Sequence, residues 1–150
     1  MQKASLAQLD PRDRRVLMRV DFNVPLDQNR QITDDTRIRA ALATIRLMLD
    51  KGARPVLMSH LGRPKGKVTD SLRLRPVAQH LSEMIGRPVP ATGDCIGLGT
   101  TDAVNRMKPG QLLLLEQLHQ SRQQEPVGKT TARQTDQFNP AQLARHLRGL

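Results

Sequence analysis

The sequence predicts an α/β domain in which a parallel sheet is flanked by helices, and three features of the hydrophobic pattern support this. Apolar segments rich in β-branched residues alternate with segments whose apolar residues recur at helical spacing. Glycine and proline residues separate these segments. The run Leu112 to Leu115 is apolar without alternation, which is typical of a strand buried on both faces. The order strand, helix, strand, helix, strand therefore indicates a parallel sheet.

The first strand and helix are predicted in the first third of the chain. Residues 15–24 are mostly apolar and stop at Pro25, which predicts a buried strand. A helix should follow, capped by Thr33 or Asp34, and Gly52 is expected to end it. Its apolar residues recur three and four positions apart, and they are Ile38, Ala41, Leu42, Ile45, Met48 and Leu49.

The next elements follow between Gly52 and Glu116. Pro76 is expected at the first position of the second helix, and Gly86 at its end. The predicted elements are a strand over 55–59, a loop over 60–70, a helix over 76–85, an extended piece over 88–90, a helix over 101–107 and a strand over 112–115.

The composition changes after Glu116. Residues 117–139 contain six glutamines and almost no apolar periodicity, which is typical of loop or disorder. We therefore predict a partial folded domain over 1–116 and a divergent, disordered tail over 117–150. A short helix at 140–149 is expected within that tail, because Asn139 and Pro140 can begin it.

Charge and composition exclude several classes of protein. No apolar run exceeds four residues, whereas a membrane span needs about 20, and the N-terminus lacks a secretory signal pattern. The single cysteine, Cys95, cannot form an internal disulfide, so a cytoplasmic protein is expected.

The net charge of +10 suggests an anionic partner, but only Phe22 and Phe138 are aromatic. A stacking platform for single-stranded nucleic acid is therefore not expected, and nucleic acid is an unlikely partner.

A pocket for a small anion is predicted where the strands end. Ligands of open parallel sheets bind beyond the carboxyl ends of the strands. Asn23 follows the first strand, His60 and Arg63 follow the second, and Arg37 lies at the start of the first helix. These side chains would form a pocket rich in hydrogen-bond donors for a small phosphorylated acid. No metal-ligand spacing is present, and no metal site is predicted.

The same residues also allow purely structural interpretations. Asp21 and Asn23 are common turn formers that bond their own backbone. Arg37 is alternatively a solvated cation paired with Asp34, and Cys95 a small core residue. From the residues alone, we predict an anion-binding α/β domain.

Three linked motifs resemble the N-terminal domain of phosphoglycerate kinase. They occupy residues 19–25, 32–38 and 58–66, and further agreement brings the resemblance to residues 8–116. The resemblance implies a Rossmann-like domain that binds 3-phosphoglycerate or 1,3-bisphosphoglycerate, with Arg37 as the catalytic residue that stabilises the transferring phosphoryl group. It implies that the substrate-binding residues are Asp21, Phe22, Asn23, Arg37, His60, Leu61, Gly62 and Arg63.

The sequence also departs from the family pattern. His119 stands where the family has a substrate-binding arginine, and the half that binds Mg-ATP or Mg-ADP in the family has no counterpart here. The resemblance thus implies a truncated glycolytic phosphotransferase that keeps the 3-phosphoglycerate half and is inactive alone. The alternative is a non-catalytic basic protein that binds anions or nucleic acid through the same domain.

Overall fold

The computed structural model describes residues 8–62, 70–95 and 97–116, and a four-stranded parallel sheet forms its centre. The strands are β1 (Arg15–Arg19), β2 (Arg54–Ser59), β3 (Ala91–Thr92) and β4 (Leu113–Glu116). Their order is β1-β2-β4-β3, and every pairing is parallel. Leu57 of β2 lies opposite Met18 of β1 on one side and Leu114 of β4 on the other. The predicted fold class is therefore confirmed.

Helices cover both faces of the sheet, which explains why its central strands are apolar without alternation. They are α1 (Thr36–Asp50), α2 (Arg75–Ile85) and α3 (Leu98–Asn105). Leu57 and Leu114 pack in one core cluster with residues of α1 and α2. Their neighbours Val56 and Leu113 pack in a second cluster with Val104 of α3. Successive side chains of a strand point to opposite faces, so both faces of the sheet are buried.

Two element boundaries near the predicted site differ from the sequence prediction. Strand β1 ends at Arg19 rather than residue 24, because the chain then bends and Phe22 N–H donates to the Ser59 hydroxyl. Helix α1 begins at Thr36, and its N-cap position is Asp35 rather than Thr33 or Asp34. Asp34 still accepts a hydrogen bond from Thr36 N, at 2.9 Å, one position outside the cap.

The remaining boundaries follow the sequence more closely. Gly52 and Gly86 have φ of +74° and +72° and end α1 and α2, as predicted. Helix α2 begins one residue before Pro76, and α3 begins at Leu98 rather than 101. The sequence pattern missed β3 as a strand, because two residues between prolines and a turn carry no periodicity.

Several predicted features lie outside the described residues. These are Arg63, His119, the tail over 117–150 and its helix at 140–149, and all of them stay predictions. Within the described residues, no helix combines the length and the apolar character that crossing a membrane requires.

Candidate functional site

The ends of β1 and β2 are joined by a hydrogen bond between two residues of the predicted site. The side-chain oxygen of Asn23 accepts from the backbone N–H of Gly62 at 2.8 Å. Next to it, Phe22 N–H donates to the hydroxyl of Ser59, at 2.9 Å and in a buried position. Together these bonds fix the segment after β1 against the segment after β2, at the carboxyl edge of the sheet. Asn23 is therefore more than a local turn former.

Arg37 joins the same group through Asp21. Its Nη1 atom lies 2.5 Å from Asp21 Oδ2, and both side chains are more than half exposed. The second oxygen of Asp21 accepts from Asn23 N–H at 3.1 Å, so Asp21 also acts as a turn former. The ion pair of Arg37 is with Asp21 rather than with Asp34 as suggested; Asp34 bonds to Thr36, and the charge of Arg37 only adds to the lowering of the Asp34 pKa. Arg37, Asp21, Asn23 and Gly62 thus form one continuous chain of contacts.

The other predicted residues occupy different depths. The ring of Phe22 is fully buried and Leu61 is 4% exposed, so both side chains belong to the core beneath the edge. His60 is partly buried directly after β2, between Ser59 and Leu61. At this edge Arg37 is exposed, Asn23 and His60 are partly buried, and Phe22 and Leu61 belong to the core.

Gly62 is required by its conformation and by its surroundings. It has φ of +64°, a region that L side chains rarely adopt. A Cβ atom at this position would also lie 2.7 Å from Cδ2 of Leu72. Glycine therefore lets the chain turn after β2 and present its N–H to Asn23.

The N-terminus of α1 already carries two carboxylates. Hydrogen bonds from the side chain and backbone of Thr36 lower the pKa of Asp34. Asp35 accepts from Arg39 Nε at 2.7 Å and lies 2.9 Å from His80 Nε2, and these hydrogen bonds lower its pKa to about 2. The negative charges of Asp34 and Asp35 therefore oppose the attraction that a helix N-terminus has for an anion. The Arg37 guanidinium is left as the main cationic group of the site within the described residues.

A cavity that the sequence pattern did not predict has a volume of about 780 Å³, and none of the predicted site residues that the structure describes line it. Arg73 is one of its lining residues, with Nη1 at 3.0 Å from the Gly93 carbonyl and 3.5 Å from Glu116 Oε2. Burial raises the pKa of Glu116, and the nearby Arg73 opposes that rise. No sequence pattern predicts the contacts of Arg73 with Gly93 and Glu116, because they depend on how β3, β4 and the chain before α2 pack.

The described residues do not form a metal site. Among them, no three His, Cys, Asp or Glu side chains are close enough to hold a metal ion. Cys95 is partly buried, and burial first, then the charge of Asp94, raises the pKa of its thiol to about 11.

The family model of phosphoglycerate kinase matches residues 6–150 of this chain. The chain belongs to the phosphoglycerate kinase family. Phosphoglycerate kinases are phosphotransferases of glycolysis. The match extends past Glu116, beyond the motifs by which the sequence alone resembles the family. It therefore includes residues that the structure does not describe.

Curated phosphoglycerate kinases are similar over most of this chain but over a minor part of their own length. The protein of Gloeothece citriformis is 56% identical over 115 residues, which are 77% of this chain and 29% of that protein. The protein of Moorella thermoacetica is 52% identical over 134 residues, 89% of this chain and 34% of that protein. The chain thus spans about a third of the length of these relatives.

Solved phosphoglycerate kinase structures share the fold. The structure from Coxiella burnetii has a TM-score of 0.62 at 36% identity, covering 73% of this chain and 26% of that chain. The structure from Pyrococcus horikoshii has a TM-score of 0.64 at 28% identity, covering 71% of this chain and 26% of that chain. The parallel sheet with its flanking helices is therefore the architecture of this family.

Proposed function

We propose that this chain is the 3-phosphoglycerate-binding part of a phosphoglycerate kinase, with its site at the carboxyl edge of β1 and β2. The observation that carries the proposal is the chain of contacts from Arg37 through Asp21 and Asn23 to Gly62. It holds a guanidinium and an amide above an apolar floor, and a guanidinium fork suits carboxylate and phosphate oxygens. We include His60 and Arg63 in the same site.

Arg37 has the catalytic role in this proposal. In the family reaction, a carboxylate oxygen of 3-phosphoglycerate attacks the γ-phosphorus of ATP while the bond to the ADP oxygen breaks. Charge on the transferring phosphoryl oxygens is then stabilised by positioned cations. The Arg37 side chain is 54% exposed at the sheet edge, so it can leave Asp21 and reach such a group. An exposed ion pair contributes only about 0–1 kcal/mol, so this exchange costs little.

We also propose that the 150-residue chain binds substrate but transfers no phosphoryl group by itself. The chain matches only about a third of the length of its curated relatives, which supports this proposal. A cytoplasmic location is proposed as well, in keeping with the glycolytic family.

Calorimetric titration with 3-phosphoglycerate tests the binding site. We expect saturable binding with one site per chain, and at least tenfold weaker binding for Arg37→Ala, about 1.4 kcal/mol. Arg46→Ala is the matched control, because Arg46 is also exposed on α1 but lies about 13 Å further along the helix. Equal affinities of the two variants would contradict the proposed site.

Two further measurements test the remaining parts of the proposal. A coupled assay with Mg-ATP and 3-phosphoglycerate should show no turnover above background for the chain alone. Titration with a short DNA duplex tests the nucleic-acid alternative, which predicts binding that weakens steeply with salt. Tight, salt-dependent duplex binding without 3-phosphoglycerate binding would favour that alternative.

A further inference from the structure

A second cavity lies at the opposite edge of the sheet from Asn23 and Gly62. Its volume is about 440 Å³, within the range of small-molecule sites. The C-terminal ends of all three helices and the amino end of β4 surround it. Its floor consists of apolar side chains that are each at most 8% exposed, and they are Leu49, Val89, Met107, Leu112 and Leu113.

The charged groups at the cavity rim are cationic, and Gln111 adds a neutral amide. Two exposed arginines line it, Arg87 and Arg106, and none of the described residues that line it is acidic. Arg87 Nη1 donates to the Gly110 carbonyl at 3.2 Å, which holds this guanidinium across the rim. The Arg106 guanidinium makes no hydrogen bond or ion pair with another residue in the described part of the chain.

The combination of an apolar floor and a cationic rim fits an amphipathic anion better than a small polyanion. Placing a hydrocarbon chain on the apolar floor is favourable, because both apolar surfaces are removed from water. The flanking residues Pro88 and Pro90 offer no N–H groups to a polar ligand. The Arg106 guanidinium can hydrogen-bond an anionic head group at the rim. A small polyanion such as 3-phosphoglycerate would leave the floor uncovered and lose its own hydration there.

We propose that this cavity binds a small amphipathic anion, an apolar chain that ends in one carboxylate. The site is separate from the proposed substrate site, because it lies at the other edge of the sheet and shares no residue with it. Arg106 holds the carboxylate, Arg87 narrows the rim, and Met107 contacts the hydrocarbon.

The first experiment uses octanoate, well below its micelle concentration, and the full 150-residue chain labelled with ¹³C at its methionine methyl groups. We expect a saturable shift of the Met107 methyl signal with one site per chain, and no shift at Met18, which lies in β1. Octan-1-ol, which lacks the carboxylate, should bind at least fivefold more weakly. No saturable shift at Met107, or equal affinities for octanoate and octanol, would overturn the proposal.

Variants then test the two halves of the site. Arg106→Gln should weaken octanoate at least fivefold without changing octanol affinity. Arg75→Gln should change neither, because Arg75 is an exposed arginine beside the other cavity. Ala103→Leu should weaken both ligands more than tenfold by filling the space next to Met107. If Arg106→Gln and Arg75→Gln change octanoate affinity equally, Arg106 does not hold the carboxylate. If Ala103→Leu does not fold, the comparison of octanoate with octanol on the unaltered chain still tests the proposal.

Discussion

The side-chain oxygen of Asn23 accepts a hydrogen bond from the backbone N–H of Gly62 at 2.8 Å, across 39 positions of sequence. This bond connects the two loops that leave β1 and β2 and is partly buried. A partly buried N–H that loses its acceptor costs about 1–3 kcal/mol. The contact therefore stabilises the sheet edge and also fixes the backbone on which the proposed site depends.

Asn23→Ala should lower the free energy of unfolding by about 1–2 kcal/mol, because Gly62 N–H is left without its acceptor. Asn23→Asp keeps an acceptor oxygen at the same place and should recover most of this loss. The added negative charge should still weaken 3-phosphoglycerate binding at least fivefold. Urea unfolding and calorimetric titration measure the two effects, and equal destabilisation by Ala and Asp would show that the hydrogen bond is not the cause.

Gly62→Ala should destabilise the protein by at least about 2 kcal/mol, because it combines unfavourable φ with a clash. The new Cβ would lie 2.7 Å from Leu72 Cδ2. Gly86→Ala is the matched control, since its φ is +72° but nothing lies within 4 Å of the added atom. We expect urea unfolding to show a smaller loss for Gly86→Ala, about 1 kcal/mol. Losses of the same size would mean that Leu72 moves aside freely.

The stability of the protein should depend on Asp35 in acid. The pKa of this carboxyl is about 2 in the folded protein against an ordinary 3.8, because Arg39 and His80 hydrogen-bond its charged form. The stabilisation is therefore fully present above the ordinary value and is lost as the pH falls from about 4 to 2. Urea unfolding at several pH values should show that the difference in unfolding free energy between the unaltered chain and Asp35→Asn is present at pH 5 and shrinks below pH 4.

Asp50→Asn, at the end of α1, is the control for a change of net charge. The difference in unfolding free energy between Asp50→Asn and the unaltered chain should not depend on pH in the way expected for Asp35→Asn. If both variants give the same pH profile, general charge rather than the contact with Arg39 and His80 explains the dependence.

Cys95 should react slowly in the folded protein. Burial and Asp94 raise the pKa of its thiol to about 11, whereas an ordinary value is 9.0. At pH 8 the thiolate fraction is then roughly 100-fold smaller, so labelling by a disulfide reagent should be roughly 100-fold slower than in urea. Asp94→Asn should speed the reaction. A native rate equal to the urea rate would show that the thiol is freely ionised and exposed.

The candidate site was partly predictable, and the missing part has a physical reason. Strand ends rich in polar residues indicated the carboxyl edge, so Asn23, Arg37 and Gly62 could be named before their contacts were known. The ion pair of Arg37 with Asp21 rather than Asp34 could not be predicted, because it depends on the bend after β1. Arg73 and Glu116 come together only through the packing of distant segments.

The α/β class could be predicted from the sequence, because apolar periodicity and the positions of glycine and proline are local properties of the chain. The family also follows from the sequence, through linked motifs and the match over residues 6–150. Which polar groups meet, and that two arginines border an apolar cavity at the opposite edge, became known from the packed fold. Those relationships arise between residues distant in sequence, where strand order and helix packing set the distances.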